Sequence, residues 1–219
     1  MCGRFAIAYT MGLLARFGVK QDLEGLEPRF NVAPTQMVPI VISESPNKAV
    51  MMRWGLIPFW AKDPKIGNRL INARSENLKK SPAYRASFKN RRCIVPVTGF
   101  YEWRKQNGTK APYYVHLKDD SPFGLAGLYD RWKDPEGREV MSFTIVTTVP
   151  NRLLAPIHNR MPVILRQELE DLWLRHGPLT DKEAASVFRP HPARPMEAYE
   201  VSTEVNNPRN DTEGIIRPA

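Results

Sequence analysis

A single α+β domain, built on a strongly bent or barrel-like mixed β-sheet with a few short flanking helices, is the fold class that this sequence predicts. Of its 219 residues 42% are hydrophobic, enough for a substantial core and too many for a disordered or collagen-like chain. Its 20 prolines punctuate the chain at short intervals and leave apolar runs of strand length between them. No repeat, long linker or low-complexity run divides it, so one domain over residues 2–219 is expected, with Met1 removed.

In chain order, Met11 to Phe17 reads as a short helix after Thr10, and Val50-Met51-Met52-Arg53-Trp54 as a strand. Pro82 to Phe88, after Ser81, reads as a helix, and Cys93-Ile94-Val95, Tyr113 to Leu117, Phe123 to Tyr129, Ser142 to Val149 and Met161 to Leu165 as strands. Arg166 to Arg175 carries Leu169, Leu172 and Trp173 on one helical face, and Asp181 to Phe188 follows a capping box of Thr180 and Glu183. Glu197 to Val201 closes the series as a strand. The segment from Asn206 to Ala219 is polar except for Ile215 and Ile216, and reads either as a loose tail or as a strap docked through Val205 and the isoleucines.

Lysine and arginine number 32 against 23 acidic residues, a formal charge of +9. Residues 1–110 carry 19 basic and 7 acidic side chains, whereas residues 111–219 carry 13 and 16. So much positive charge in one half, interleaved with Trp54, Trp60, Tyr84 and Phe88, points to a polyanionic partner, nucleic acid first. Met1-Cys2-Gly3-Arg4-Phe5 lacks the basic start and apolar run of a signal peptide, and no apolar stretch reaches the ~18 residues of a membrane span. A cytoplasmic, membrane-free protein is expected, with Cys2 and Cys93 as free thiols.

Cys2 is the position with the most chemistry. Removal of the initiator methionine leaves an α-amine and a thiol on adjacent carbons. An α-amine titrates near ~7.7–8.0 and a lysine near ~10.4, so the nucleophilic fraction of the former is roughly two orders of magnitude larger at neutral pH. Such an amine condenses with an aldehyde, and the sulfur then closes a five-membered thiazolidine. The competing reading of Cys2 is an ordinary thiol near a chain end. Cys93, in a strand-like setting, reads as a small buried hydrophobe.

Proton transfer at that carbon needs a titratable partner. Glu102 lies among aromatics just after a strand, where burial raises a carboxyl pKa, and His158 stands beside Asn159 and Arg160 in a polar loop. A paired structural carboxylate and a satisfied structural histidine are the alternatives. Asn72 and Arg74, two residues apart in an extended segment, project to one side as an amide and a guanidinium able to orient a hydroxyl and grip a phosphate. Spaced Cys/His metal ligands, Gly-rich phosphate loops and a nucleophile elbow are all missing, so no metal and no cofactor are expected.

Eight ordered motifs then form a pattern: Met1 to Phe5, Phe30 to Thr35, Arg53 to Pro58, Ile71 to Glu76, Arg92 to Pro96, Gly99 to Trp103, His158 to Pro162 and Val201 to Asn206. Together they resemble the SRAP family, the SOS-response-associated peptidases. The resemblance implies a sensor and shield of abasic sites in single-stranded DNA that forms a thiazolidine DNA–protein crosslink once per molecule, with AP-lyase activity as a side reaction. It implies Cys2 as nucleophile, Asn72 as the group orienting sugar or terminus, Glu102 as the proton shuttle at the amine and His158 as the proton donor to the opening sugar. Arg4, Trp54, Arg74, Arg85 and Arg160 are the expected DNA contacts, with Arg91 and Arg92 continuing the basic strip. A monomer acting in a bacterial cytoplasm, on the nucleoid when bound, is expected. Two alternatives stay open: a thiol peptidase acting on its own terminus or on other proteins, and a non-catalytic reader of modified or single-stranded DNA.

Overall fold

The computed structural model describes every residue except 1, 10, 11, 21–25, 46 and 107. Met1, Thr10 and Met11, on which the expected processing and the start of the first helix rest, lie outside the described residues. In chain order the described strands are β1 (Arg4–Ile7), β2 (Arg29–Val32), β3 (Met37–Ile42), β4 (Lys48–Trp54), β5 (Asn72–Arg74), β6 (Arg92–Val97), β7 (Gly99–Gln106), β8 (Thr109–Leu117), β9 (Phe123–Lys133), β10 (Glu139–Thr148), β11 (Met161–Pro162) and β12 (Met196–Glu200). Three short helices, α1 (Arg85–Asn90), α2 (Glu170–Leu174) and α3 (Asp181–Val187), flank them.

Five strands close into a barrel. β4 pairs with β3, β3 with β6, β6 with β9 and β9 with β10, all antiparallel, and β10 returns to β4 as a parallel neighbour through Ser142↔Arg53 and Phe143↔Trp54. Closure removes free sheet edges. It also explains why β6 is buried along its whole length. Beyond the point where β4 ends, β5 takes its place beside β10 (Ile145↔Asn72, Thr147↔Arg74), and β11 pairs with the same end of β10.

A second sheet, in the order β12-β8-β7-β1-β2, leans on the barrel. The chain passes between the two at Thr98, whose N–H and hydroxyl both donate to the Ala6 carbonyl. Gly99 follows because a Cβ there would run into the Tyr114 ring. The interface between sheet and barrel is aromatic: Phe5 from β1 packs on Trp54 from β4 with centroids 4.9 Å apart, and Trp54 stacks on Phe143. All three are fully buried, each stabilising the fold by roughly 1.5–3 kcal/mol.

The expected α+β class with a closed, mixed sheet is present. The strands expected at Val50 to Trp54, Cys93 to Val95, Tyr113 to Leu117 and Phe123 to Tyr129 fall within β4, β6, β8 and β9, and those at Ser142 to Val149 and Glu197 to Val201 each run one residue past β10 and β12. Met161 to Leu165 is a strand only over its first two residues and then an isolated bridge of Ile164 to Leu125. The capping box of Thr180 and Glu183 is formed. The stretch expected as one helix from Arg166 is a 3-10 turn at Gln167–Leu169 followed by α2, and of the first expected helix only a 3-10 turn at Ala15–Phe17 is described. The carboxy-terminal segment is a docked strap: Val205 and Ile215 are buried, and the Asn31 amide donates to the carbonyls of Val205, Asn207 and Asn210.

Candidate active site

Cys2 sits at the end of β1 with its side chain fully buried in the main core, its Sγ 3.6 Å from the Arg4 carbonyl. β1 and β7 are paired antiparallel at Arg4↔Tyr101 and Phe5↔Phe100, and continuing that register sets Gly3 against Glu102 and Cys2 against Trp103. The Glu102 carboxyl is close enough to act electrostatically on both the Cys2 thiol and the amino terminus. From the other side the Asn72 Nδ2 donates to the Cys2 carbonyl at 2.7 Å. Asn72 is itself held by the ladder of β5 with β10 and by the Tyr84 hydroxyl, which donates to its carbonyl at 3.2 Å. The Asn72 Oδ1 is buried without a hydrogen-bond partner among the described residues, an acceptor left open for an incoming hydroxyl or N–H.

Electrostatics divide the roles. Glu102 is buried within β7, and desolvation pushes its carboxyl up to about 7 against the opposing charge of the amino terminus. Burial, reinforced by the Glu102 charge, pushes the Cys2 thiol far above its ordinary range, so the sulfur stays protonated. Burial lowers the pKa of His158, with the charge of the amino terminus adding to that effect. Its Nδ1 lies 3.0 Å from the Arg160 N–H and 3.2 Å from the Arg160 carbonyl. Glu102 and His158 line one pocket of about 480 Å³ with Trp103, Lys105, Lys110, Pro156, Ile157 and Asn159.

The structure thus brings Cys2, Asn72, Glu102 and His158 around one end of β1, and sorts the expected DNA contacts into three groups. Trp54 is corrected: it is 0% exposed, its ring is enclosed by Phe5 and Phe143, and its Nε1 donates to the Ile71 carbonyl, so it offers no face to a base. Arg4 and Arg160 are engaged by the protein. Arg4 donates to the Asn31 Oδ1 and the Val205 carbonyl, and Arg160 forms a two-pronged pair with Glu76 at 2.6 and 2.8 Å while also holding the Thr147 carbonyl. That pairing draws the Glu76 carboxyl down to about 2. Arg74 and Arg85 are exposed. In the expected basic strip Arg92 is likewise corrected, since it is buried and donates to the carbonyls of Phe88, Trp173 and Gly177, while Arg91 pairs with Asp130.

Sequence reasoning missed Tyr84 and Glu76 as parts of this site. Tyr84 touches it only through tertiary folding, and Glu76, in a 3-10 turn at Ser75–Asn77, reaches Arg160, 84 positions away. Among the described residues no group of three His, Cys, Asp or Glu side chains is placed to hold a metal ion.

The family model described as SOS response associated peptidase (SRAP) matches residues 1–208. The chain belongs to the SRAP family. SRAP relatives of the same length include the abasic site processing protein YoqW of Bacillus subtilis, 43% identical over 99% of both chains. The vertebrate abasic site processing protein HMCES of Xenopus tropicalis is 34% identical, over 87% of this chain and 66% of its own length. A crystal structure of a protein from Bacteroides thetaiotaomicron shares the SRAP architecture throughout, with a TM-score of 0.91 at 33% identity and complete coverage of both chains.

Proposed function

We propose that this protein processes abasic sites in single-stranded DNA by forming a thiazolidine crosslink through Cys2 once Met1 has been removed. Relatives that match it end to end are named for abasic-site processing. The observation that carries the finer reading is the clamp on residue 2: its carbonyl is held by Asn72 while a carboxyl with a pKa of about 7 lies across the strand pair.

The reaction runs in two steps. The Cys2 α-amine attacks the aldehyde carbon of the ring-opened deoxyribose, and loss of one water gives an imine. The Cys2 sulfur then adds to that carbon and its proton passes to the nitrogen, closing the ring with no oxidant or cofactor. A protonated thiol suits this order, because the amine is then the first nucleophile and the sulfur the second. Glu102, poised between its two protonation states near neutrality, can take a proton from the terminal ammonium to free the attacking amine and return one to the departing hydroxyl. His158 lines the same pocket and serves the sugar oxygen as the ring opens. Asn72 Oδ1 accepts from the substrate or the new amine. Arg74 and Arg85 are the exposed candidates for phosphate contacts, and the protein acts as a cytoplasmic monomer.

The peptidase reading requires the opposite electrostatics. A cysteine protease uses a thiolate whose pKa is depressed, whereas burial and Glu102 push this thiol up. The test is a denaturing gel of protein mixed with an abasic single strand, with and without borohydride. A band retained without borohydride supports the crosslink; cleavage of a peptide substrate with the abasic strand left untouched favours the peptidase.

A further inference from the structure

Residues 140–167 and 184–196 contain no aspartate or glutamate. The fold brings these two stretches together. Thr148 donates its hydroxyl to the Phe188 carbonyl at 2.8 Å, and the Asn151 amide donates to the His191 carbonyl at 2.8 Å. Between them lies an open groove of about 570 Å³ to which Arg152, Arg166, Arg189 and Arg194 all contribute. Among the described residues the one carboxylate within ion-pair reach of these four guanidinium groups is that of Glu168, 4.0 Å from Arg166. Arg152, Arg189 and Arg194 are exposed.

Among the described residues Arg152, Arg189 and Arg194 meet no carboxylate within ion-pair reach, and Arg166 meets Glu168 only at 4.0 Å. Arg16, Arg29, Arg138 and Arg175, by contrast, each have a carboxylate at 2.5–2.9 Å. The backbone beneath the cluster is rigid: Asn151 Oδ1 accepts from the N–H groups of Leu153 and Leu154, and Pro190, Pro192 and Pro195 stiffen the opposite wall. Guanidinium groups that few carboxylates neutralise are suited to recognising phosphates.

The segments that build the groove lead along the chain to the candidate active site. Exposed Arg74 lies opposite Thr147 in the β5–β10 ladder, the next residue, Thr148, holds Phe188, and Arg189 follows. At its other end the segment that supplies Asn151 and Arg152 runs on into Pro156 to Asn159, which line the pocket of Glu102 and His158. We infer that the Arg152, Arg166, Arg189 and Arg194 groove is a second binding site, for the phosphates of a nucleic-acid strand that continues past the reacting nucleotide. This rests on the proposed abasic-site reading for the identity of the strand, and on the groove alone for its polyanion chemistry.

The test compares the wild type with an Arg152→Ala/Arg166→Ala/Arg189→Ala/Arg194→Ala variant, with folding checked by thermal melting and an Arg189→Ala/Arg194→Ala variant, both sites exposed, as the milder form. Two intact single strands, of about 6 and about 20 nucleotides, are the probes, spanning one binding-site length and several. The wild type is expected to bind the long strand more tightly than the short. The variants lose that advantage, and their log–log salt slope on the long strand falls by about 0.7 per phosphate contact removed. On a short strand carrying an abasic site the rate of adduct formation is unchanged. An unaltered affinity and salt slope on the long strand overturns the groove, even if the adduct forms. A reduced slope without any adduct sustains the groove and sinks the crosslink reading.

Discussion

The Asn72 Nδ2 donates to the Cys2 carbonyl at 2.7 Å, tying the start of the chain to a strand seventy residues away. Residue 2 is thereby held by β5 through this amide, two residues ahead of the β1–β7 pairing that begins at Arg4. A chain terminus is ordinarily a frayed element. In the proposed reaction the clamp on residue 2 orients the amine before any substrate arrives, which favours its attack.

Asn72→Ala leaves the buried Cys2 carbonyl without its donor, at about 1–3 kcal/mol. The expected result is a lowered melting temperature and a drop of roughly ten- to a hundredfold in the single-turnover rate of adduct formation. Asn72→Asp restores size but not the N–H and is expected to fail likewise. A rate within twofold of wild type for both variants would remove the clamp from the mechanism.

Glu102 makes both activity and stability depend on pH. Its folded pKa, about 7, is raised above the ordinary 4.5, so the folded protein holds a proton that the unfolded chain has released between those values. The stability this provides is full below about 4.5 and is lost as pH rises through 7. Glu102→Gln, which mimics the protonated form, is expected to flatten that slope and to raise the melting temperature at pH 8. The same change should abolish the ionisation near pH 7 in the pH–rate profile while slowing the reaction. Melting and rate profiles from pH 4 to 9 check both signs.

Trp54 is a core residue, so Trp54→Ala is expected to cost about 3–5 kcal/mol of stability by emptying the space between Phe5 and Phe143. Trp54→Phe, which keeps most of the volume, should retain the wild-type affinity for single-stranded DNA when measured below its melting range. A specific loss of DNA affinity in the folded Phe variant would restore the stacking role that its burial denies.

Cys2→Ala keeps an α-amine and removes the sulfur. It should form only a reversible imine, trapped by borohydride, and should nick the strand by β-elimination. A stable adduct in this variant, without borohydride, would move the chemistry to another residue.

Most of the barrel was legible because its strands β4, β6, β9 and β10 are apolar runs between prolines, and the candidate residues Cys2, Asn72, Glu102 and His158 stood out because each carries chemistry wherever it stands. β1 and β2 escaped because each has four residues, too few to show an alternation, and β3 because Pro39 interrupts a run that reads Met-Val-Pro-Ile-Val-Ile. The structure also sets Glu102 inside β7 rather than after a strand. Roles that depend on distant partners stayed hidden: the burial of Trp54 between Phe5 and Phe143, the capture of Arg160 by Glu76, and the support of Asn72 by Tyr84. Charge counted by halves likewise concealed the arginine groove. The acidic residues clustered at 168–183 and 197–213 offset its arginines in the total but do not meet them in space, apart from Glu168.

The crosslink is tested most directly by the intact mass of the protein after incubation with an abasic single-stranded oligonucleotide, without reductant. The expected species is the chain lacking Met1 plus the oligonucleotide minus one water, with the modification on Cys2 after digestion. An unmodified chain, or an adduct formed by protein that still carries Met1, would contradict the account.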